Sequence, residues 1–196
     1  EEIFMHTANG GIYSPFAPKA EDVSIEVIAH HLANRARWAG ATQHRNDPSR
    51  IFYSVAEHSV LVSRYLTYKL KRPDLAMQGL LHDASEAYNG DLIRPLKYSP
   101  DFAAPFKRVE DLNERAIAMR FDLPYPFDPL VKKADEATCA AEYEQIVPGA
   151  ENHEPILHDH TVVSPVRIQM RSPAEAKAFF LAEYDAIKEW SGRPAL

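Results

Sequence analysis

Apolar residues recur at three- and four-residue spacings along most of the chain. The pattern predicts helices over residues 24–37, 55–70, 73–88, 100–121, 129–147 and 173–190. Ser99-Pro100, Asp128-Pro129 and Ser172-Pro173 each set a capping side chain before a proline at the first helical position. Ser54-Val55-Ala56-Glu57 and Ser172-Pro173-Ala174-Glu175 read as capping boxes, and Asn89-Gly90 stops the third helix. Residues 1–22 read as extended and irregular, with a short strand or hairpin around Gly10-Gly11. Residues 38–53 read as a polar loop, and residues 148–171 as irregular chain with a minor strand at Thr161-Val162-Val163. No two-residue alternation is strong enough to claim a larger sheet, and no repeat or Gly/Ser-rich linker divides the chain. The expected fold is all-α: a single domain over residues 1–196, with a helical core over about 24–147 and a C-terminal helix over 173–190.

Composition narrows the function classes. With 45% hydrophobic and 26% charged residues the chain has the balance of a globular protein. A net charge of −6 argues against a sequence-blind grip on nucleic-acid backbones, which needs a dominant basic surface. Cys139 is the only cysteine, so no disulfide forms within the chain, and a lone thiol suits a reducing compartment. The apolar runs fall far short of the roughly 20 residues that span a bilayer, and the opening Glu-Glu-Ile-Phe-Met-His has no signal-type stretch. The expectation is a cytoplasmic protein with neither a membrane nor a nucleic acid as partner.

Candidate chemistry centres on a few ionisable residues set in apolar surroundings. The dipeptide His-Asp occurs twice, so context has to separate His82-Asp83 from His158-Asp159. At about 100° per residue, Asp83 and Glu86 fall within about 100° of His82 on one helix, opposite an apolar back of Met77, Leu80, Leu81, Ala84 and Ala87. His158-Asp159 lies between prolines with no such pattern and reads as a loop feature. His58 shares a face with Val55, Leu61, Val62, Tyr65 and Leu66, a setting that by itself suits a hydrogen-bonded core histidine. Asp135 shares its inward face with Val131, Thr138, Cys139 and Ile146, and a buried carboxylate is costly unless it is paired or bound to a metal. Two imidazoles and two carboxylates on three helices make a ligand set suited to Mn²⁺, Fe²⁺, Co²⁺, Ni²⁺ or Zn²⁺ rather than Ca²⁺. His30-His31 lacks a paired acid, and Cys139 reads as a packing residue.

The order His58, His82-Asp83, Asp135 resembles the H…HD…D signature of the HD-domain metal-dependent phosphohydrolases. The local strings Ser-Val-Ala-Glu-His58-Ser, Leu-Leu-His82-Asp83-Ala-Ser-Glu86-Ala, Asn-Gly-Asp91-Leu and Lys-Lys-Ala-Asp135-Glu-Ala resemble the bacterial 5′-deoxynucleotidases motif by motif, and also small bacterial and phage HD hydrolases. The similarity covers about residues 24–147. It implies an HD-type helical bundle and one divalent ion (Mn, Co, Fe, Ni, Mg or Zn) held by His58, His82, Asp83 and Asp135. It further implies a catalytic acidic pair, Glu86 and Asp91, a phosphate-side pair, Arg37 and Trp38, and a homodimer. The stretch from Trp38 to His58 is longer than the family pattern, so Arg35 and Arg45 stand as alternatives to Arg37. Arg94, Lys97 and Lys132 are further cations available to a phosphate.

The implied activity is phosphate release from a nucleoside 5′-monophosphate, with a small-molecule nucleotide as partner. The alternatives are a dNTP triphosphohydrolase or cyclic-nucleotide phosphodiesterase and, in another class, a non-catalytic nucleotide- or metal-binding module. The presence of Glu86 and Asp91 beside all four candidate ligands favours catalysis.

Overall fold

The computed structural model describes residues 3–152 and 162–191. It is an all-α bundle with one small antiparallel hairpin at the N-terminus, as the sequence pattern predicts. Strands β1 (Met5–His6) and β2 (Ile12–Tyr13) pair Met5 with Tyr13 across a turn that holds Gly10 at φ 81°. The hairpin is pinned by Tyr13, whose ring stacks on Tyr88 at 3.8 Å and whose hydroxyl donates to Asn113 Oδ1 at 2.7 Å. Tyr88 is thereby a core residue.

The helices are α1 (Ile25–Ala33), α2 (Val55–Arg64), α3 (Ala76–Leu81), α4 (Glu86–Asn89), α5 (Arg94–Lys97), α6 (Ala103–Arg120), α7 (Pro129–Ile146) and α8 (Pro173–Ser191). Helix α2 is the axis of the bundle. Every residue from Val55 to Ser63 is buried, and α1, α3, α7 and α8 pack around it. A helix enclosed on all sides is a core helix, so the polar groups it carries must find partners inside the protein. Gly79 lets α3 come close: a Cβ there would lie 2.5 Å from Leu66 Cδ1 and 3.2 Å from the Ser63 backbone. The chain continues from α2 through a π-helical turn, Tyr65–Lys69, and a 3₁₀ turn, Pro73–Leu75, into α3. No helix among the described residues is long and apolar enough to cross a membrane.

Several expected boundaries shift, each for a local reason. The first helix stops at Ala33, because Asn34 caps it and the chain then runs extended, Ala36 bridging Ser54. The helix expected over 73–88 breaks after Leu81, and residues 84–88 tighten to i→i−3 bonds such as Glu86 N–H to the Asp83 carbonyl. The short helix α5 has no periodic signature, since only one turn forms. Helix α6 begins at Ala103, three residues beyond Pro100, although Ser99 Oγ does accept from the Phe102 amide in the preceding turn.

Asp128 and Ser172 cap as expected, accepting from the amides of Leu130 and Glu175. The Ser172/Glu175 box is reciprocal, but the Ser54/Glu57 box is only half made. The Glu57 carboxylate instead accepts from the amides of Gln169 and Arg171 and from the Arg171 guanidinium, pinning the strand-free segment before α8 against α2. Val162 and Val163 belong to no strand. The third residue of that expected strand, Thr161, lies outside the described residues, as do His153, His158-Asp159 and His160.

Candidate metal centre and active site

The bundle brings His58, His82, Asp83 and Asp135 together. His58 sits in the middle of α2, His82 and Asp83 follow the last residue of α3, and Asp135 lies two turns into α7. His58 Nε2 is 3.2 Å from His82 Nε2, 3.3 Å from Asp135 Oδ1 and 3.6 Å from Asp83 Oδ2. His82 Nε2 is 3.2 Å from Asp83 Oδ2 and 3.8 Å from Asp135 Oδ1. Ligands bound at about 2.1 Å to one ion stand roughly 3.0–3.4 Å apart when adjacent, for octahedral and tetrahedral angles. The observed separations are close to such a polyhedron.

Proton placement strengthens the point. His82 Nδ1 lies 2.7 Å from the carbonyl of Gly79, which can only accept, so the Nδ1 proton is fixed. His58 Nδ1 is held in the same way by the Glu142 carboxylate at 2.5 Å. In their neutral forms both imidazoles therefore turn bare Nε2 lone pairs towards each other and towards two carboxylates. Such an arrangement calls for a cation, and the two-nitrogen, two-oxygen donor set fits a borderline divalent ion. Electrostatics agree. Burial pushes the His82 pKa down, but Asp83 and Asp135 outweigh it and raise it to about 10. Asp135 is held well below the carboxylate range, burial being overcome by His58 and His82.

A second cluster, His58 with Cys139 and Glu142, is less suited to a metal. The guanidinium of Arg37 donates to Cys139 Sγ at 3.1 Å and through Nε to Glu142 Oε2 at 3.1 Å, so positive charge is already present. Burial also pushes the thiol well above its ordinary pKa, which leaves it a poor ligand. Cys139 thus lies at the edge of the site, hydrogen-bonded to Arg37 and to Asp135, where the sequence suggested packing alone.

Glu86 and Asp91 stand beside the cluster. Glu86 is 8% exposed, and its Oε2 has no hydrogen-bond partner. Burial first, then the charges of Asp83 and Asp91, raise its pKa well above the ordinary value. The Asp91 pKa is raised less, by burial partly offset by Arg37. Among the three candidate arginines the structure brings Arg37 to the centre, with Nη1 3.4 Å from Asp83 Oδ2. Arg35 lies against Gly90, and Arg45 pairs on the surface with Glu151. Trp38 donates Nε1–H to Glu142 Oε2 at 2.9 Å. His31 is taken up structurally, by the Ala87 carbonyl and the Ala8 amide.

A cavity of about 460 Å³ opens from His82, Asp83, Glu86 and Asp135 towards α6 and the 125–129 loop. Lys97 and Lys132 line it, whereas Arg94 does not. Its aromatic walls include Tyr98, Phe106, Tyr125 and Phe127. Its lysines are already paired: Lys97 with Glu110 at 2.6 Å, Lys107 with Asp111 at 2.7 Å and Lys132 with Asp135 at 2.6 Å.

The sequence reading missed Glu142 and Tyr53. Glu142 is fully buried, and the Tyr53 hydroxyl donates to its Oε1 at 2.9 Å. A signal existed, since Glu142 follows Asp135 by seven residues and so returns to nearly the same helix face.

The chain is similar in sequence to known proteins. A family model described as 5′-deoxynucleotidase YfbR-like matches residues 27–154. An uncharacterized protein of Rhodobacter capsulatus is 34% identical over 184 residues, covering 87% of this chain and 88% of the relative. The uncharacterized protein YfdR of Escherichia coli is 29% identical over 187 residues, 95% of this chain and 96% of the relative. A 5′-deoxynucleotidase of Vibrio atlanticus is 40% identical over 50 residues, 25% of this chain and 26% of the relative.

Proposed function

We propose, from the premise that the chain belongs to the 5′-deoxynucleotidase YfbR-like family of HD-domain phosphohydrolases, that it releases phosphate from deoxynucleoside 5′-monophosphates with the help of one divalent ion. The observation that carries this reading is the convergence of four donor atoms beside a buried carboxyl, Glu86, whose pKa burial raises well above the ordinary value.

His58, His82, Asp83 and Asp135 would hold the ion. When bound, it supplies Lewis-acid chemistry, polarising a phosphoryl oxygen and acidifying a water molecule. The protein's own groups do the rest. Burial, Asp83 and Asp91 raise the proton affinity of Glu86, and burial and Asp83 raise that of Asp91 less, so the pair splits the roles of acid and base. Glu86, the more deeply buried, keeps its proton and gives it to the ester oxygen as the P–O bond breaks. Asp91, ionised at lower pH, takes the proton of the incoming water. Arg37 places positive charge beside Asp83 for the non-bridging phosphate oxygens, and the 460 Å³ cavity takes the nucleoside along its aromatic walls.

The charge of the cavity favours a monophosphate. The lysines that line it are neutralised by Glu110, Asp111 and Asp135, and Glu114 and Asp128 add further carboxyls. A triphosphate would meet acids with no unpaired lysine to offset them. The test is to strip the metal, restore Mn²⁺, Co²⁺, Ni²⁺, Mg²⁺ or Zn²⁺ singly, and assay nucleoside mono- and triphosphates and cyclic nucleotides. Inorganic phosphate from deoxynucleoside monophosphates is expected. Inorganic triphosphate from dNTPs would transfer the chain to the triphosphohydrolases, and inactivity with every ion and nucleotide would overturn the proposal.

A further inference from the structure

Glu142 carries a negative charge with no access to solvent, and the catalytic scheme above does not use it. Four donors from three separate segments meet its two oxygens. Oε1 accepts from His58 Nδ1 on α2 and from the Tyr53 hydroxyl just before that helix. Oε2 accepts from Arg37 Nε and Trp38 Nε1. An ionised carboxylate has about four lone-pair sites, so this one is saturated. Burial would raise its pKa, but Arg37 and His58 outweigh that and lower it.

The Arg37–Trp38 segment needs such a clamp. Trp38 and Ala39 sit at φ 55° and 51°, followed by Gly40 at 79°. Two successive non-glycine residues in the left-handed region are strained, and strain of this kind persists only where surrounding contacts over-determine it. The turn aims Arg37 Nη1 at Asp83, and the two bonds to Glu142 Oε2 hold it there. The same carboxylate, through Oε1, keeps the His58 proton on Nδ1 and so leaves Nε2 free as a donor.

We infer that Glu142 is a positioning residue that sets two parts of the site at once: the tautomer of His58 towards the metal, and the posture of the Arg37–Trp38 turn towards the substrate phosphate. The second half rests on the activity proposed above; the first rests only on the metal site proposed there. Glu142→Gln tests it with volume retained. An amide offers one accepting oxygen and one donating nitrogen, so it cannot serve all four donors. Facing His58, the new NH₂ would force the proton onto Nε2 and remove the metal donor. Facing Arg37, it would push the turn away.

Metal affinity is read by competition with a chromophoric chelator, the His58 tautomer by ¹⁵N NMR, and kcat and KM with metal saturating. Loss of an outer-shell partner of a metal-bound histidine weakens affinity about 10–100-fold. Glu142→Gln is expected to show either that loss with an Nε2-protonated His58, or a KM raised about tenfold. Glu142→Asp, which keeps the charge, should recover part of each. Trp38→Phe, which removes one donor on the Oε2 side alone, should raise KM while leaving metal affinity unchanged, and it serves where the glutamine variant does not fold. A folded Glu142→Gln protein with native metal affinity, tautomer and KM overturns the inference, as does a Trp38→Phe protein that loses metal and substrate binding together. If no nucleotide proves to be a substrate, the chelator and NMR readings still decide the His58 half.

Discussion

Replacing Asp83 with alanine is expected to abolish phosphate release, by about a thousandfold or more, while leaving the fold intact. Asp83 Oδ2 is the oxygen that faces both Nε2 atoms, at 3.2 and 3.6 Å. Its loss opens one side of the donor set and also leaves Arg37 Nη1 without its carboxylate partner, 3.4 Å away. A bound ion is worth several kcal/mol of transition-state stabilisation, and about 1.4 kcal/mol is a factor of ten. Thermal melts provide the independent readout. Mn²⁺ at about one hundred times its dissociation constant should stabilise the native protein by about 2.7 kcal/mol and the Asp83→Ala protein by almost nothing.

The metal-free variant also has a pH signature. The His82 pKa is raised from 6.5 to about 10, so its pairing with the carboxylates stabilises the metal-free native protein fully below about pH 6.5 and is lost as pH rises towards 10. Asp83→Ala should therefore cost the metal-free protein most stability below neutrality and progressively less at alkaline pH.

Glu86→Gln is expected to separate activity from stability in the opposite sense. As the proton donor to the leaving oxygen Glu86 contributes roughly 10²–10⁴ in kcat, and the amide cannot replace it. Metal affinity should change little, since Glu86 is not among the four converging donors. The carboxyl is 8% exposed, and its pKa lies well above the ordinary value, raised by burial and then by Asp83 and Asp91. A folded-state pKa above the unfolded one means that the native state binds more protons. Stability is then lost as pH climbs from about 4.3 towards the folded value. Glutamine removes that loss. Urea unfolding of the metal-free proteins should find Glu86→Gln more stable than the native chain at pH 8, with the difference shrinking towards pH 5. The native pH–rate profile should fall as Glu86 ionises, and the residual activity of the variant should lack that limb. Equal stabilities at both pH values would contradict the raised proton affinity of Glu86.

What the sequence made legible follows from where the information sits. His82, Asp83 and Glu86 are neighbours on one segment, so a helical projection places them together even though regular helix ends at Leu81. Asp135 was readable because a carboxylate on an apolar face needs a partner, and the capped starts at Asp128-Pro129 and Ser172-Pro173 fixed two long helices. The unreadable parts depend on contacts between distant segments. Glu57 looks like half of a capping box, yet it serves two amides and a guanidinium more than one hundred residues away. Glu142 acquires its meaning only when α7 packs against α2 and the chain before it. The choice among Arg35, Arg37 and Arg45 turns on a left-handed backbone at Trp38 and Ala39, residue types that give no warning of it.

The most direct measurement is anomalous X-ray scattering from crystals of the Mn²⁺-loaded protein. The account predicts one ion, on the Nε2 side of both imidazoles and about 2.0–2.3 Å from His58 Nε2, His82 Nε2 and one oxygen each of Asp83 and Asp135. An ion on the Nδ1 side of His58, between Cys139 and Glu142, or a protein that binds no stoichiometric ion, would contradict it.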